Sequence, residues 1–275
     1  MKKNLVLLIC IFFANLAYSQ ATLESLTKDC IISFSPENRL REFEVRDENG
    51  EWVECSTDNM AALLRKDVIA YYGLEEKYNT PLKISTFKKT DDYQDMVERI
   101  SEEYKIMTQS KSYMLYSLAN NNPYNMAKHC FNFKIEFHNI AKCSTPNYFT
   151  FGGGLALSFP SAYMTYKKVA TNENLYGFWQ YNILRTPVIS EETALKIEEN
   201  LKNSSLLIIF KIQKSKFENE PVLGLSGYIM KVPYVLGKTI GVYIVNTTTG
   251  EVYADISNIL TQTNLNKKPT TQRRQ

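Results

Sequence analysis

The hydrophobic period of this chain changes near residue 125, and that change limits its fold more than any other feature. Between residues 91 and 107, the apolar side chains recur at the spacing of one helix face: Tyr93, Met96, Val97, Ile100, Tyr104 and Met107. From residue 131 onward, apolar Phe131, Phe133, Ile135 and Phe137 alternate with polar Asn132, Lys134, Glu136 and His138. Helices followed by strands predict an α+β protein.

The first part of the chain is predicted to be a helical region with a small β-hairpin, over residues 20–124. Asp47 to Gly50 is a turn sequence between two short strands, residues 40–46 and 51–55. One helix is expected from Thr57 or Asp58 to Gly73. A second is expected from Asp91, continuing into residues 113–118.

The second part, residues 125–263, is predicted to be a mostly antiparallel β-sheet region with one helix. The apolar run at residues 206–210 predicts a buried central strand, and residues 240–245 and 252–256 predict a hairpin. Ser190 is the expected N-cap of the helix. Residues 264–275 contain one apolar side chain and four basic ones, which predicts a disordered basic tail.

Residues 1–19 have the pattern of a secretory signal peptide. Lys2 and Lys3 precede a short apolar run, and Ala17 and Ser19 fit a cleavage site before Gln20. Removing the two lysines leaves 30 basic and 29 acidic residues, a net charge of +1. This balance favours no nucleic-acid partner, and no later run is long enough to span a bilayer. We expect a soluble mature protein that is secreted or periplasmic.

Four cysteines remain after cleavage: Cys30, Cys55, Cys130 and Cys143. An even number in an exported chain favours disulfide bonds. Short loops favour the pairs Cys30–Cys55 and Cys130–Cys143, and four buried thiols are the alternative.

No sequence motif predicts a catalytic, cofactor-binding or metal-binding residue. The two histidines, His129 and His138, lie near Cys130 and Cys143 but without the flanking sequence of a cysteine hydrolase or the ligand spacing of a zinc site. The three glycines at residues 152–154 lack the lysine that follows them in a phosphate-binding loop.

One aromatic cluster is a candidate binding site. Tyr176, Phe178, Trp179 and Tyr181 lie within six residues, and aromatic faces suit sugar rings or protein partners. Packing in the core is the alternative interpretation. The sequence thus favours an exported, non-enzymatic binding protein whose partner is an envelope protein or a carbohydrate. A secreted or periplasmic hydrolase with an unplaced active site is the alternative.

Overall fold

The structure is a computed structural model that describes residues 21–34, 43–56, 59, 63, 91–119, 124–136, 148–151, 155–160, 163–168, 180–221 and 229–261. This part of the chain is mostly β-sheet, with three α-helices. The predicted α+β fold with a helical N-terminal part is therefore wrong. The segments before residue 125 supply four strands to a large mixed sheet, and only two of the three helices.

The described residues form twelve strands and three α-helices. The strands are β1 (Cys30–Phe34), β2 (Phe43–Arg46), β3 (Trp52–Glu54), β4 (Lys111–Ser117), β5 (Asn132–Glu136), β6 (Tyr148–Phe151), β7 (Leu155–Ser158), β8 (Met164–Lys168), β9 (Gln180–Arg185), β10 (Ser204–Pro221), β11 (Ile229–Asn246) and β12 (Val252–Asp255). The helices are α1 (Leu23–Thr27), α2 (Asp91–Gln109) and α3 (Glu191–Glu199).

Nine strands form the main sheet, in the order β3-β2-β1-β4-β10-β11-β7-β6, with β12 also paired to β11. The pairs β1–β4 and β7–β11 are parallel, and the other pairs are antiparallel. Strands from both sides of residue 125 thus share one sheet. The remaining three strands form a second, antiparallel sheet in the order β5-β9-β8.

The long hairpin of β10 and β11 is the centre of the main sheet. Residues 204–210 of β10 are buried on both faces, which confirms the predicted central strand at residues 206–210. β4 pairs with one edge of this segment, and β11 pairs with the other. The register shifts between Ile209 and Phe210 and between Ile212 and Lys214. The first shift leaves Ile240 unpaired, and its side chain is exposed.

The two faces of the main sheet carry separate apolar clusters. The main cluster includes Phe34, Met114, Ile208 and Phe210, and α2 and α3 supply Ile100, Met107, Ala194 and Ile197 to it. The small cluster, on the opposite face, comprises Cys30, Leu207, Ile209 and Val245, with Leu23 and Leu26 of α1 packed against it. α1 is fixed by a capping box between Thr22 and Ser25 and by the bond from Leu23 N to Gly250 O, 2.9 Å.

Helix α2 begins at the expected residue but ends earlier than predicted. It stops at Gln109. Residues 113–118 were expected to extend the helix, but residues 113–117 lie on β4 instead. β4 alternates buried Ser112 and Met114 with half-buried Tyr113 and Leu115, because its two faces meet the two clusters. None of the helices within the described segments is long and apolar enough to cross a membrane.

Candidate functional site

Most of the aromatic cluster predicted from the sequence lies outside the described residues. Tyr176, Phe178 and Trp179 are the three residues of the cluster that the structure does not describe. Tyr181 lies on β9, where its backbone is opposite Glu136 of β5 and Lys167 of β8. Ligand binding by these four aromatic residues stays a prediction.

The structure does not bring Cys30 and Cys55 together. Cys55 N donates to Phe43 O, 2.9 Å, and Phe43 is opposite Phe34, the far end of β1 from Cys30. Four residues of strand span about 13 Å, well beyond the roughly 7 Å that a disulfide allows between Cα atoms. Cys30 is a free, buried thiol in the small cluster, whereas Cys55 packs against the main cluster on the other face. The structure therefore has no Cys30–Cys55 disulfide, and this pairing stays a prediction.

The structure describes only one cysteine of the second expected disulfide, Cys130–Cys143. Cys130 is a free, buried thiol in the backbone bridge between Asn125 and Cys130. Cys143 and His138 lie outside the described residues. The Cys130–Cys143 pair therefore stays a prediction.

A line of basic side chains crosses the sheet on the face of the small cluster. We call Arg46, Lys111, Lys211 and Lys238 the basic row. Lys238 is directly opposite Lys211 in the β10–β11 pair. The β4–β10 register pairs Ser112 with Phe210, and its continuation puts Lys111 beside Lys211. On its other side, Lys111 is directly opposite Cys30 of β1. The row thus runs perpendicular to the strands.

Strand alternation places these side chains on the small-cluster face. Lys111 lies two residues before Tyr113, which packs against the small cluster, and Lys211 lies two residues after Ile209, a member of it. Residues two apart on a strand share a face, as do directly opposed residues. Arg46 of β2 is directly opposite Trp52, which packs against the small cluster, so Arg46 lies on the same face at the β2 end of the row.

An aromatic pair supports the Arg46 end of the basic row. The Arg46 guanidinium lies 4.8 Å from the centre of the Trp52 ring, and Nη1 donates to Lys28 O at 2.6 Å. Trp52 meets Tyr113 edge to face, with ring centres 5.5 Å apart. Cation–π contact and the hydrogen bond hold the guanidinium in one position. One face of the indole is therefore covered by Arg46.

The charges along the row are unevenly neutralised. Lys111 Nζ lies 3.5 Å from Asp29 Oδ2. Lys211 and Lys238 are exposed, and among the described residues neither has an ion-pair partner. Like charges directly opposite each other in a sheet are destabilising. The β10–β11 part of the row is thus a concentration of uncompensated positive charge.

Burial on this face raises the pKa of two side chains, Cys30 and Tyr113. Burial raises the pKa of the Cys30 thiol to about 11, although Lys111 and Arg46 oppose the rise. Burial also raises the pKa of the Tyr113 phenol, against a hydrogen bond from Ser33. Cys30 is therefore protonated near neutral pH, and a protonated thiol is a poor nucleophile.

A second polar cluster joins the turn at residues 126–129 to α3. His129 has a φ of 47°, in the left-handed region, and its carbonyl accepts from Ile189 N at 2.8 Å. Its Nδ1 lies 3.4 Å from Tyr124 Oη and 3.8 Å from Glu191 Oε1. Tyr124 Oη donates to Ile189 O, 2.6 Å, and Tyr124 N donates to Glu198 Oε1, 2.7 Å. These bonds anchor the turn to the helix, so we interpret the cluster as structural.

Among the described residues, no group of three or more His, Cys, Asp or Glu side chains is arranged to hold a metal ion.

Sequence reasoning missed the basic row because its members come from four distant segments. Lys211 and Lys238 are 27 positions apart, and only the β10–β11 register makes them neighbours. The available local signal was a polar, basic residue directly after the apolar run at residues 206–210, where the predicted strand should have remained buried.

In comparisons with known proteins, no family model, no curated protein and no solved structure matches this chain.

Proposed function

We propose that this chain is an exported, soluble binding protein without catalytic activity, and that its ligand is an anion that binds along the basic row. The observation that carries the proposal is the Lys211–Lys238 pair, which is directly opposed and without an ion-pair partner in the described part of the chain. A bound anion between these two ammonium groups turns a repulsive pair into an attractive set of contacts.

The distribution of charge supports this proposal. The mature chain is nearly neutral, with 30 basic and 29 acidic residues, so no general excess of lysine accounts for the row. The Cα atoms of these residues are held in place by the strands, so less conformational entropy is lost when a ligand binds. Each exposed contact between opposite charges contributes only about 0.2–1 kcal/mol. Useful affinity therefore requires several contacts at once.

The chemistry near the row supports binding over catalysis. Cys30 lies beneath the row, but its pKa of about 11 keeps the thiol protonated. The neighbouring carboxylate, Asp29, is engaged with Lys111. The leader pattern of residues 1–19 supports export, and an exported protein can meet ligands of the envelope.

The proposal is tested by measuring binding to immobilised anionic probes at low and physiological salt. The probes are polygalacturonate, heparin, vesicles of phosphatidylglycerol and phosphatidylcholine, and duplex DNA, with dextran as the neutral probe. We expect binding to at least one anionic probe and a loss of at least tenfold in Lys211→Gln/Lys238→Gln.

The matched control is Lys128→Gln/Lys202→Gln, which removes the same charge from two exposed lysines outside the row. This variant should bind like the parent protein. If no anionic probe binds, or if both double variants lose affinity equally, the basic row is not a binding site.

A further inference from the structure

We propose that the anionic ligand is an elongated acidic polysaccharide that lies across the strands along the basic row. This inference rests on the proposed function and adds the class and the orientation of the ligand.

The length of the row requires an extended ligand. Arg46 lies on β2 and Lys238 on β11, and β1, β4 and β10 separate these two strands. Four strand spacings amount to about 19 Å. A single phosphate or sulfate ion cannot contact both ends, whereas a linear polymer with regularly spaced acidic groups can reach from Arg46 to Lys238. At Lys111, an acidic group of the polymer takes the place of Asp29, which lies 3.5 Å from the lysine nitrogen.

Acidic side chains border the row on one side, and the exposed Lys214, opposite Leu236, borders it on the other. On the acidic side, the neighbouring row of residues crosses the sheet from β3 to β11. Its residues, in that order, are Glu54, Glu44, Ser33, Tyr113, Ile209 and Gly241. Glu44 and Glu54 are exposed and directly opposed, so they repel an anion from that side. A flat anionic lipid surface would meet these carboxylates together with the lysines. A single polymer chain follows the row and avoids them.

The aromatic side chains at the row disfavour single-stranded nucleic acid. Single-stranded nucleic acid binds by stacking its bases on open aromatic faces. The Trp52 ring has Arg46 over one face and Tyr113 at 5.5 Å edge to face, and Tyr113 is itself half-buried. Charged groups are therefore the accessible contacts, and these suit carboxylates or sulfates on a sugar chain.

The experiment measures how affinity depends on ligand length, using galacturonate oligomers of two, four and eight sugars and the full polymer. We expect affinity to rise at least tenfold from the dimer to the octamer and then to level off. Affinity for the octamer should also fall steeply with salt, because several ion contacts form together.

A second variant tests the orientation. Lys211→Gln/Lys238→Gln leaves Arg46 and Lys111 in place, so affinity should level off at a shorter oligomer than in the parent protein. Circular dichroism and thermal melting confirm that the variant is folded. Lys128→Gln/Lys202→Gln should reproduce the length dependence of the parent protein.

The outcomes separate this inference from the proposed function. Equal affinity for the dimer and the octamer, with sensitivity to Lys211 and Lys238, would retain an anion site but overturn the extended ligand. Tighter binding to duplex DNA or to phosphatidylglycerol vesicles than to the acidic polymer would overturn the polysaccharide class. Absence of binding to every probe would overturn both proposals.

Discussion

At the scale of single residues, two buried hydroxyl groups lie on either side of Phe210. Ser112 of β4 and Thr239 of β11 are both directly opposite Phe210, on the face of the main cluster. Among the residues that the structure describes, neither Ser112 Oγ nor Thr239 Oγ1 has a hydrogen-bond partner. Each therefore lost its hydration on folding without gaining a bond in return.

Removing these hydroxyls should stabilise the protein. We expect Ser112→Ala and Thr239→Val each to raise the free energy of unfolding by about 1 kcal/mol in urea denaturation. The control is Thr186→Val, since Thr186 Oγ1 accepts from Phe131 N at 2.9 Å and donates to Pro187 O at 2.9 Å. That change should cost about 1–3 kcal/mol. A loss of stability in the first two variants would show that the hydroxyls have partners.

The buried Cys30 thiol makes the free energy of unfolding fall at alkaline pH. Burial raises its pKa from 9.0 to about 11, so the folded state retains a proton that the unfolded state has released. The resulting stabilisation is present in full below pH 9 and is lost as the pH rises through 11. We expect the free energy of unfolding to fall less between these pH values in Cys30→Ala than in the parent. Parallel pH profiles would contradict this.

At the scale of elements, two local signals, the cap at Ser190 and the turn at residues 47–50, were confirmed, whereas the expected helix from Thr57 or Asp58 to Gly73 lies mostly outside the described residues. Ser190, expected as the N-cap of α3, accepts from Thr193 N at 3.2 Å, and Glu191 and Glu192 occupy the first turn. The turn from Asp47 to Gly50 joins β2 and β3 as expected, with Gly50 at a φ of 85°. Such signals act within a few residues, so the sequence contains all of the interacting groups.

The Ser190 cap can be tested directly. Ser190→Ala removes the acceptor for Thr193 N and should lower the free energy of unfolding by about 1 kcal/mol. Ser190→Asp keeps an acceptor beside the positive end of the helix, so its stability should remain close to that of the parent. Equal losses in the two variants, measured by urea denaturation, would show that the cap contributes nothing.

At the scale of the whole molecule, we propose that residues 1–19 are a leader that is removed from the mature protein. The basic start, short apolar run and small residues at 17 and 19 predict cleavage before Gln20. N-terminal sequencing of the protein from its native host should therefore begin at or near Gln20. Recovery of the full-length chain from the cytoplasm would contradict export and, with it, the placement of the ligand in the envelope.

The sequence by itself determined the local structure of this protein: the turn at residues 47–50, the cap at Ser190, the start of α2 and the buried strand at residues 206–210. Tertiary structure alone decided that residues 111–117 form β4, because a strand there pairs on both edges and packs two faces at once. It also decided the mixed sheet and the basic row. Strand register joins segments distant in sequence, and hydrophobic periodicity reports which face a residue occupies but not which strand will lie beside it.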